Sequence, residues 1–182
     1  MGRKRVIEQE QILDAAEQVV ARDGAARLTL EAVAEVAGIS KASVLYDFKS
    51  KQALIAAVVE RAVRNDNAFN DSVTASLGET PSAAIRGRIA AAAQPLPEAF
   101  RGVALNLCAA LAQDLELRKA IQSNQAAIVD KIATTSANPR GALLAYFALE
   151  GVKLLEALDY YHLPADQRAR VMADINALVD AK

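Results

Sequence analysis

Residues 27–51, RLTLEAVAEVAGISKASVLYDFKSK, constrain this chain more than any other stretch. Leu30, Val33, Ala34 and Ala37 recur at the spacing of one helix face. Thr29 precedes them as an N-cap, and Glu31 sits in the first turn, where the helix dipole favours an acid. Gly38 ends the run, at a position that often needs positive φ. Ser40 then caps a second helix, with Ile39 before it and Val44 after it spaced to pack as a hydrophobic staple. Val44, Leu45 and Phe48 are expected inward, which leaves Lys41, Ala42, Ser43, Tyr46 and Asp47 for the outer face and the helix ends. Ser50 caps a third helix with Lys51 in its first turn. A cation there opposes the helix dipole unless an anion such as phosphate lies nearby. Two short helices around a glycine turn, followed by a third, have the shape of a helix-turn-helix, which lays its second helix in the major groove of DNA.

Bulk charge does not announce a nucleic-acid partner. The 182 residues carry 21 Lys and Arg against 22 Asp and Glu, a formal net charge of −1. The answer is positional. Arg3, Lys4, Arg5, Arg27, Lys41, Lys49 and Lys51 gather at the N-terminus and around the motif, while Glu8, Glu10, Asp14 and Glu17 lie along the first helix, expected away from DNA. Such a balance predicts modest non-specific affinity and reliance on a dimer for specific binding.

At these positions the chain resembles the TetR family of transcriptional regulators. ILDAAEQVVARDG, TLEAVAEVAGIS and KASVLYDFKSKQAL carry the likeness over about residues 7–60. Many members place Tyr seven residues after the turn glycine; here Leu45 holds that place and Tyr46 follows. Asp47 replaces the commoner His or Tyr, and three roles stand open to it: capping a backbone amine, pairing with Lys49, or accepting from a cytosine amino group. The resemblance implies an all-α chain, with a three-helix DNA-binding domain at 1–52 and a helical ligand-binding and dimerisation domain at 53–182. It implies a ligand-responsive repressor that binds a pseudo-palindromic operator in double-stranded DNA as a homodimer. Base contacts are expected from Lys41, Ala42 and Ser43, with Tyr46 as a further candidate, and phosphate contacts from Thr29, Ser40, Tyr46 and Lys51. Arg3, Lys4 and Arg5 form a basic arm.

The remainder reads as helix, since alternation of the strand type persists nowhere and alanine is abundant. The first helix spans about 8–23 and stops at Gly24. A long helix from near Lys51 carries Leu54, Val58, Ala62 and Phe69 on one face and ends before Gly78. Thr80-Pro81 reads as an N-cap and N1 pair, and Gln94-Pro95-Leu96-Pro97 as a break. Next come a helix with Phe100, Val103, Leu107 and Leu111 inward and one with Leu117, Ile121, Ile128 and Ile132 inward. Asn138-Pro139 starts a helix running to about Tyr161, and Leu163-Pro164 turns into the last one. The helix at 139–161 is apolar nearly all round. Leu143, Leu144, Phe147, Leu154, Leu155 and Leu158 form one stripe, and Ala145, Ala148, Leu149 and Val152 fill much of the other side. Such a helix needs cover on more than one face, and a second copy of the chain can supply it as a four-helix interface.

The family resemblance also implies a small-molecule pocket among the later helices. Asn124 lies mid-stripe, where a buried amide needs partners. Tyr146 and Glu150 edge the apolar arc of the long helix, and Phe100 and Cys108 lie on or near an inward face. These five are the candidate ligand residues, with a mostly aliphatic lining suited to an apolar effector.

Catalysis finds little support. One His and one Cys exclude a His/Cys metal cluster within a chain, and neither GxxxxGK[ST] nor GxGxxG occurs, so no cofactor or metal is expected. The start MGRKRVIEQEQ lacks an apolar signal segment, and no apolar run approaches the roughly 20 residues that span a bilayer, so a cytoplasmic protein without a membrane partner is expected. The rival to a regulator is a helical ligand-binding or protein-interaction module without sequence-specific DNA binding, for which Asp47 and the acidic balance argue.

Overall fold

The computed structural model describes residues 9–24, 27–94 and 115–181, and among them the chain is all helix, with no strand. Eight helices follow in order among these residues: α1 Gln9–Asp23, α2 Leu30–Ala37, α3 Lys41–Asp47, α4 Lys51–Ser76, α5 Ala83–Ala93, α6 Leu115–Thr135, α7 Pro139–Ala157 and α8 Ala165–Leu178. Phe100 and Cys108, the helix expected around them, and the arm Arg3, Lys4 and Arg5 lie outside the described residues.

Packing divides the chain into two units. In the first, residues 9–62 with 115–118, α1, α2, α3 and the first turns of α4 bury one set of apolar faces. Ile12, Ala16 and Val19 of α1, Val33 of α2, Val44 of α3 and Leu54 and Val58 of α4 are each fully buried. These are the apolar positions that helical spacing marks. A second force joins α1 to α4. Arg61, with its side chain only 7% exposed, pairs with Asp14 at 2.7 Å, with Glu17 at 2.9 Å and with Glu10 at 3.2 Å. The acids expected to point away from DNA on α1 are thus the ones that receive this arginine.

The second unit comprises residues 63–94 and 119–181. Its core is built from Ile85 and Ile89 of α5, Ile128 and Ile132 of α6, Ala142, Ala145, Tyr146 and Leu149 of α7, and Met172 and Ile175 of α8. Close backbone approach requires glycine at two places. A Cβ on Gly141 would lie 2.3 Å from the Leu178 carbonyl oxygen, and one on Gly87 would lie 1.9 Å from Thr74 Oγ1. Polar clasps tie helix ends together. Arg168 holds Glu156 at 2.8 Å and donates to the Ala92 carbonyl at 2.7 Å, joining α8 to α7 and α5.

Several boundaries and faces depart from the sequence expectation. The fifth helix begins at Ala83, not after Thr80-Pro81. Thr80 turns its hydroxyl back to the Leu77 carbonyl at 2.9 Å, and Ser82 takes the left-handed conformation at φ 58°. The buried Ser82 hydroxyl instead accepts from the Ala137 amide at 3.2 Å, which ties this corner to the turn before α7. α7 stops at Ala157, short of Tyr161, because Asp159 adopts φ 56°. Asn138 does cap α7, accepting from the Gly141 amide at 3.2 Å, with Pro139 in its first turn. Phe69 is 44% exposed rather than inward. At 3.6 residues per turn a straight stripe drifts along a 26-residue helix, and Asn70 has rotated into the buried register instead. The Asn70 amide meets its need by donating to the Asp66 carbonyl at 2.7 Å.

Candidate nucleic-acid interface

The caps and the glycine turn expected in the 29–51 segment form. Thr29 Oγ1 accepts from the Ala32 amide at 3.0 Å and starts α2. Gly38 takes φ 66° and ψ 30°, and the Ile39 amide reaches back to the Ala34 carbonyl at 2.9 Å. That six-residue closure is a Schellman stop. Among the described residues no atom lies within 4 Å of a Cβ placed on Gly38, and its backbone angle calls for glycine. Ser40 Oγ accepts from the Ser43 amide at 3.1 Å and shares a hydrogen bond with Ser43 Oγ at 2.9 Å. Ser50 Oγ accepts from the Ala53 amide at 3.0 Å and starts α4.

These caps present α3 in one way. Val44 is fully buried and Phe48 is 5% exposed, so one flank of this short helix is anchored. Lys41, Ala42 and Tyr46 are exposed on the others, and Ser43 is half-buried. Leu45, expected inward, is 42% exposed. Neighbouring side chains on a helix point about 100° apart, so a helix anchored through Val44 and Phe48 turns Leu45 toward the rim. Tyr46, at 75% exposure, stands beside Lys49, whose Nζ lies 5.1 Å from its ring centre and donates to its carbonyl oxygen at 2.6 Å. The lysine thereby caps the C-terminal end of α3, where a cation suits the dipole.

Lys41 is not alone on this surface. Its Nζ forms an ion pair with Glu31 Oε1, the two side chains being 54% and 61% exposed. The hydrogen bond from Lys41 is the main cause that holds the Glu31 carboxyl below its ordinary range. Glu31 suits the first turn of α2 by sequence, but its reach across the turn to the first residue of α3 shows only in three dimensions.

The candidate ligand residues in the second unit are more dispersed. Asn124 Oδ1 accepts from Asn67 Nδ2 at 2.8 Å, so the amide expected to need a partner finds one on α4. Asn67 Oδ1 accepts in turn from Arg88 Nη2 at 3.4 Å. Tyr146, 2% exposed, donates its hydroxyl to Gln125, the neighbour of Asn124. Burial first, and the charge of Glu150 second, push the Tyr146 phenol up to about 12. Glu150 pairs with Lys153 at 2.9 Å. A small cavity of about 20 Å³, the room of one water molecule, lies in this unit among Asn70, Thr74, Arg88, Ile128, Lys131 and Ile132. Of the described candidate ligand residues, Asn124, Tyr146 and Glu150 do not line it. Arg88, Asn67 and Gln125 were missed in the sequence, because single polar residues in long helices carry no local signature.

One surface of α7 completes the geometry. Its alanine-rich side, with Ala142, Ala145 and Leu149, is the buried one. Leu144, Phe147, Leu154 and Leu155 of the expected stripe are 52%, 60%, 53% and 43% exposed, and Gly151 lies in the same open band, with no atom of the described residues within 4 Å of a Cβ placed on it. Among the described residues no helix is long and apolar enough to cross a membrane, and no cluster of three or more His, Cys, Asp or Glu is arranged to hold a metal.

An all-helical chain with a capped helix-turn-helix ahead of a separate helical unit has the architecture of a DNA-binding regulator. Residues 12–58 match the model of the bacterial regulatory proteins of the tetR family, and residues 82–180 match that of the tetracyclin repressor-like C-terminal domain. The chain belongs to the TetR family of transcriptional regulators. No curated protein matches it. Solved structures similar in fold include a TetR-family regulator from Rhodococcus sp., 23% identical over 93% of this chain and 97% of that one, with a TM-score of 0.71. Another is a transcriptional regulator from Saccharomonospora viridis in complex with choline, 16% identical over 95% of each chain, with a TM-score of 0.71. A third is the multidrug binding protein EbrR complexed with ethidium, 20% identical over 96% of this chain and 99% of that one, with a TM-score of 0.67.

Proposed function

We propose that this regulator is a cytoplasmic, ligand-responsive repressor that binds a pseudo-palindromic operator as a homodimer. The observation that carries the reading is the presentation of α3: anchored by Val44 and Phe48, capped by Ser40, and exposed at Lys41, Ala42 and Tyr46. Small residues at the start of such a helix let its backbone approach base edges closely. Lys41 donates to guanine O6 and N7, Ala42 meets a thymine methyl, and Ser43 completes the base-reading set. Thr29, Ser40, Tyr46 and Lys51 set the register on phosphates, with Lys49 stiffening Tyr46 from behind.

The dimer rests on the bare face of α7. An apolar stripe of four large side chains around Gly151 suits a self-complementary contact with the same stripe of a second copy. Domain roles are assigned on either side of residue 52, DNA reading to 1–52 and dimerisation and effector binding to 53–182, although the packing units divide only after Ala62. The effector is a small, mostly apolar molecule, held with the help of Asn124, Tyr146 and Glu150; the candidates Phe100 and Cys108 lie outside the described residues. Two similar folds hold choline and ethidium, which supports a ligand role for the second unit. The effector acts by preferring a dimer in which α4 is tilted and the two α3 helices no longer match successive major grooves. Its influence equals its difference in affinity for the two geometries.

Selection of bound sequences from random duplex DNA tests the reading. The expected result is enrichment of an inverted repeat. Recovery of no enriched sequence would leave a helical ligand-binding or interaction module in its place.

A further inference from the structure

The Glu31–Lys41 pair offers a specificity device that the helix-turn-helix does not require. Both partners are first-turn residues, of α2 and of α3, and both are more than half exposed. An exposed pair of this kind does little for stability, because solvent screens it. Its consequence lies in what it does to the lysine. A lone lysine on this surface is attracted to any phosphate and releases counterions on any duplex. With the carboxylate attached, the two groups carry no net charge, and a phosphate that approaches Lys41 meets Glu31 as well. Hydrogen bonding to a base follows a different rule. The ammonium has three N–H donors; one engages Glu31, and two remain for guanine O6 and N7.

We propose that Glu31 is a specificity-determining residue that turns Lys41 from a sequence-blind phosphate contact into a base-reading donor. Glu31 works through Lys41 and is a positioning residue. The inference rests on the reading of α3 as the base-reading helix.

The test compares wild type, Glu31→Gln, Lys41→Ala and the double variant Glu31→Gln with Lys41→Ala. Affinity is measured for the selected operator and for a duplex of arbitrary sequence, each between 50 and 200 mM salt by fluorescence anisotropy. Glu31→Gln frees one positive charge, so the salt slope on arbitrary duplex steepens by about 0.9. The gain in affinity for that duplex is then about three- to fourfold larger at 50 mM than at 200 mM salt. The ratio of operator to arbitrary-duplex affinity falls. Added to Lys41→Ala, the Glu31→Gln change brings no extra slope, and this comparison of the double variant with Lys41→Ala alone assigns the effect to Lys41. An unchanged slope, or an unchanged or higher ratio, in Glu31→Gln overturns the proposal while wild type still selects its operator. A wild type that selects no sequence overturns the reading of α3 and this inference with it. Glu31 is exposed but also sits in the first turn of α2, so the variants are expected to melt within a few degrees of wild type, and thermal unfolding checks that a change in slope is not a change in fold.

Discussion

Arg61 is the residue whose replacement speaks most directly to how α4 is held to the DNA-reading helices. Arg61→Met keeps much of the aliphatic stem and removes the guanidinium, which now donates to Glu17 at 3.0 Å, to Asp14 at 2.7 Å and to the side chain and carbonyl of Glu10 at 3.2 Å. The cost follows from what is left behind. Asp14 and Glu10 are 63% and 68% exposed, so both regain hydration, and each lost pair falls in the surface range of about 0.2–1 kcal/mol. Glu17 is 32% exposed and regains less, which places its loss nearer the 1.5–3 kcal/mol of a hydrogen bond to a charged group. The three acids also face one another at helical spacing without a counter-charge, a further cost of roughly 0.2–0.5 kcal/mol per pair. Part is recovered because a methionine no longer needs a desolvated charge. The net expectation is a loss of about 2–3 kcal/mol. Urea unfolding of wild type and variant at low and high salt reads it, and the gap narrows as salt rises. A difference under about 0.5 kcal/mol would refute the reasoning, since it would mean that these pairs are screened as any surface pair is. The loss should also loosen the coupling by which movement of α4 reaches α3, so a destabilised variant that still binds operator is expected to respond less to effector.

Three further outcomes are expected. Phe147→Arg places a charge on the bare stripe of α7; a ring 60% exposed offers roughly 100–150 Å² per copy, so dimer affinity should fall by at least about a thousandfold in sedimentation experiments, and an unchanged dimer would remove this face from the interface. Gly87→Ala gains about 1 kcal/mol of helix propensity, yet its Cβ would lie 2.8 Å from Thr74 Cα, so a net loss of about 1–2 kcal/mol in thermal unfolding is expected and a net gain would contradict the close approach of α5 to α4. Tyr146 should ionise far later than an ordinary phenol. Its pKa is raised from 10.0 to about 12, so the folded state holds this proton more tightly; the stability it contributes is fully present below pH 10.0 and fades as pH climbs toward 12. The tyrosinate absorbance of wild type minus Tyr146→Phe checks this, and a step at pH 10.0 would contradict it.

What the sequence made legible was the part governed by neighbours along the chain. Thr29, Gly38, Ser40, Ser50 and Asn138 each act within four residues of themselves, and each caps or turns as its type and position suggest. The core faces of α1, α2 and α6 follow from helical period alone. What escaped is set by distant partners. Arg61 falls in register with Leu54 and Val58 on α4, and an arginine in an apolar stripe opposite acids at 10, 14 and 17 was a readable signal of a paired buried charge. Glu31 and Lys41 are ten residues apart across a turn whose angle no periodicity gives. The apolar wrap of α7 was legible, but which side the chain itself covers was not. The alanines go inward because they let α5, α6 and α8 approach, and the larger leucines stay at the surface. Thr80-Pro81 misled because the same pair suits a helix start and a turn.

Hydroxyl-radical footprinting of the complex on the selected duplex tests the central claim most directly. Two copies that present Ser40-led helices to one side of DNA predict two equal protected patches on the same face, centred about one helical turn, some 10 base pairs, apart and related by a dyad. Phe147→Arg should weaken both together. A single protected patch, or protection that runs evenly around the duplex, would contradict the account.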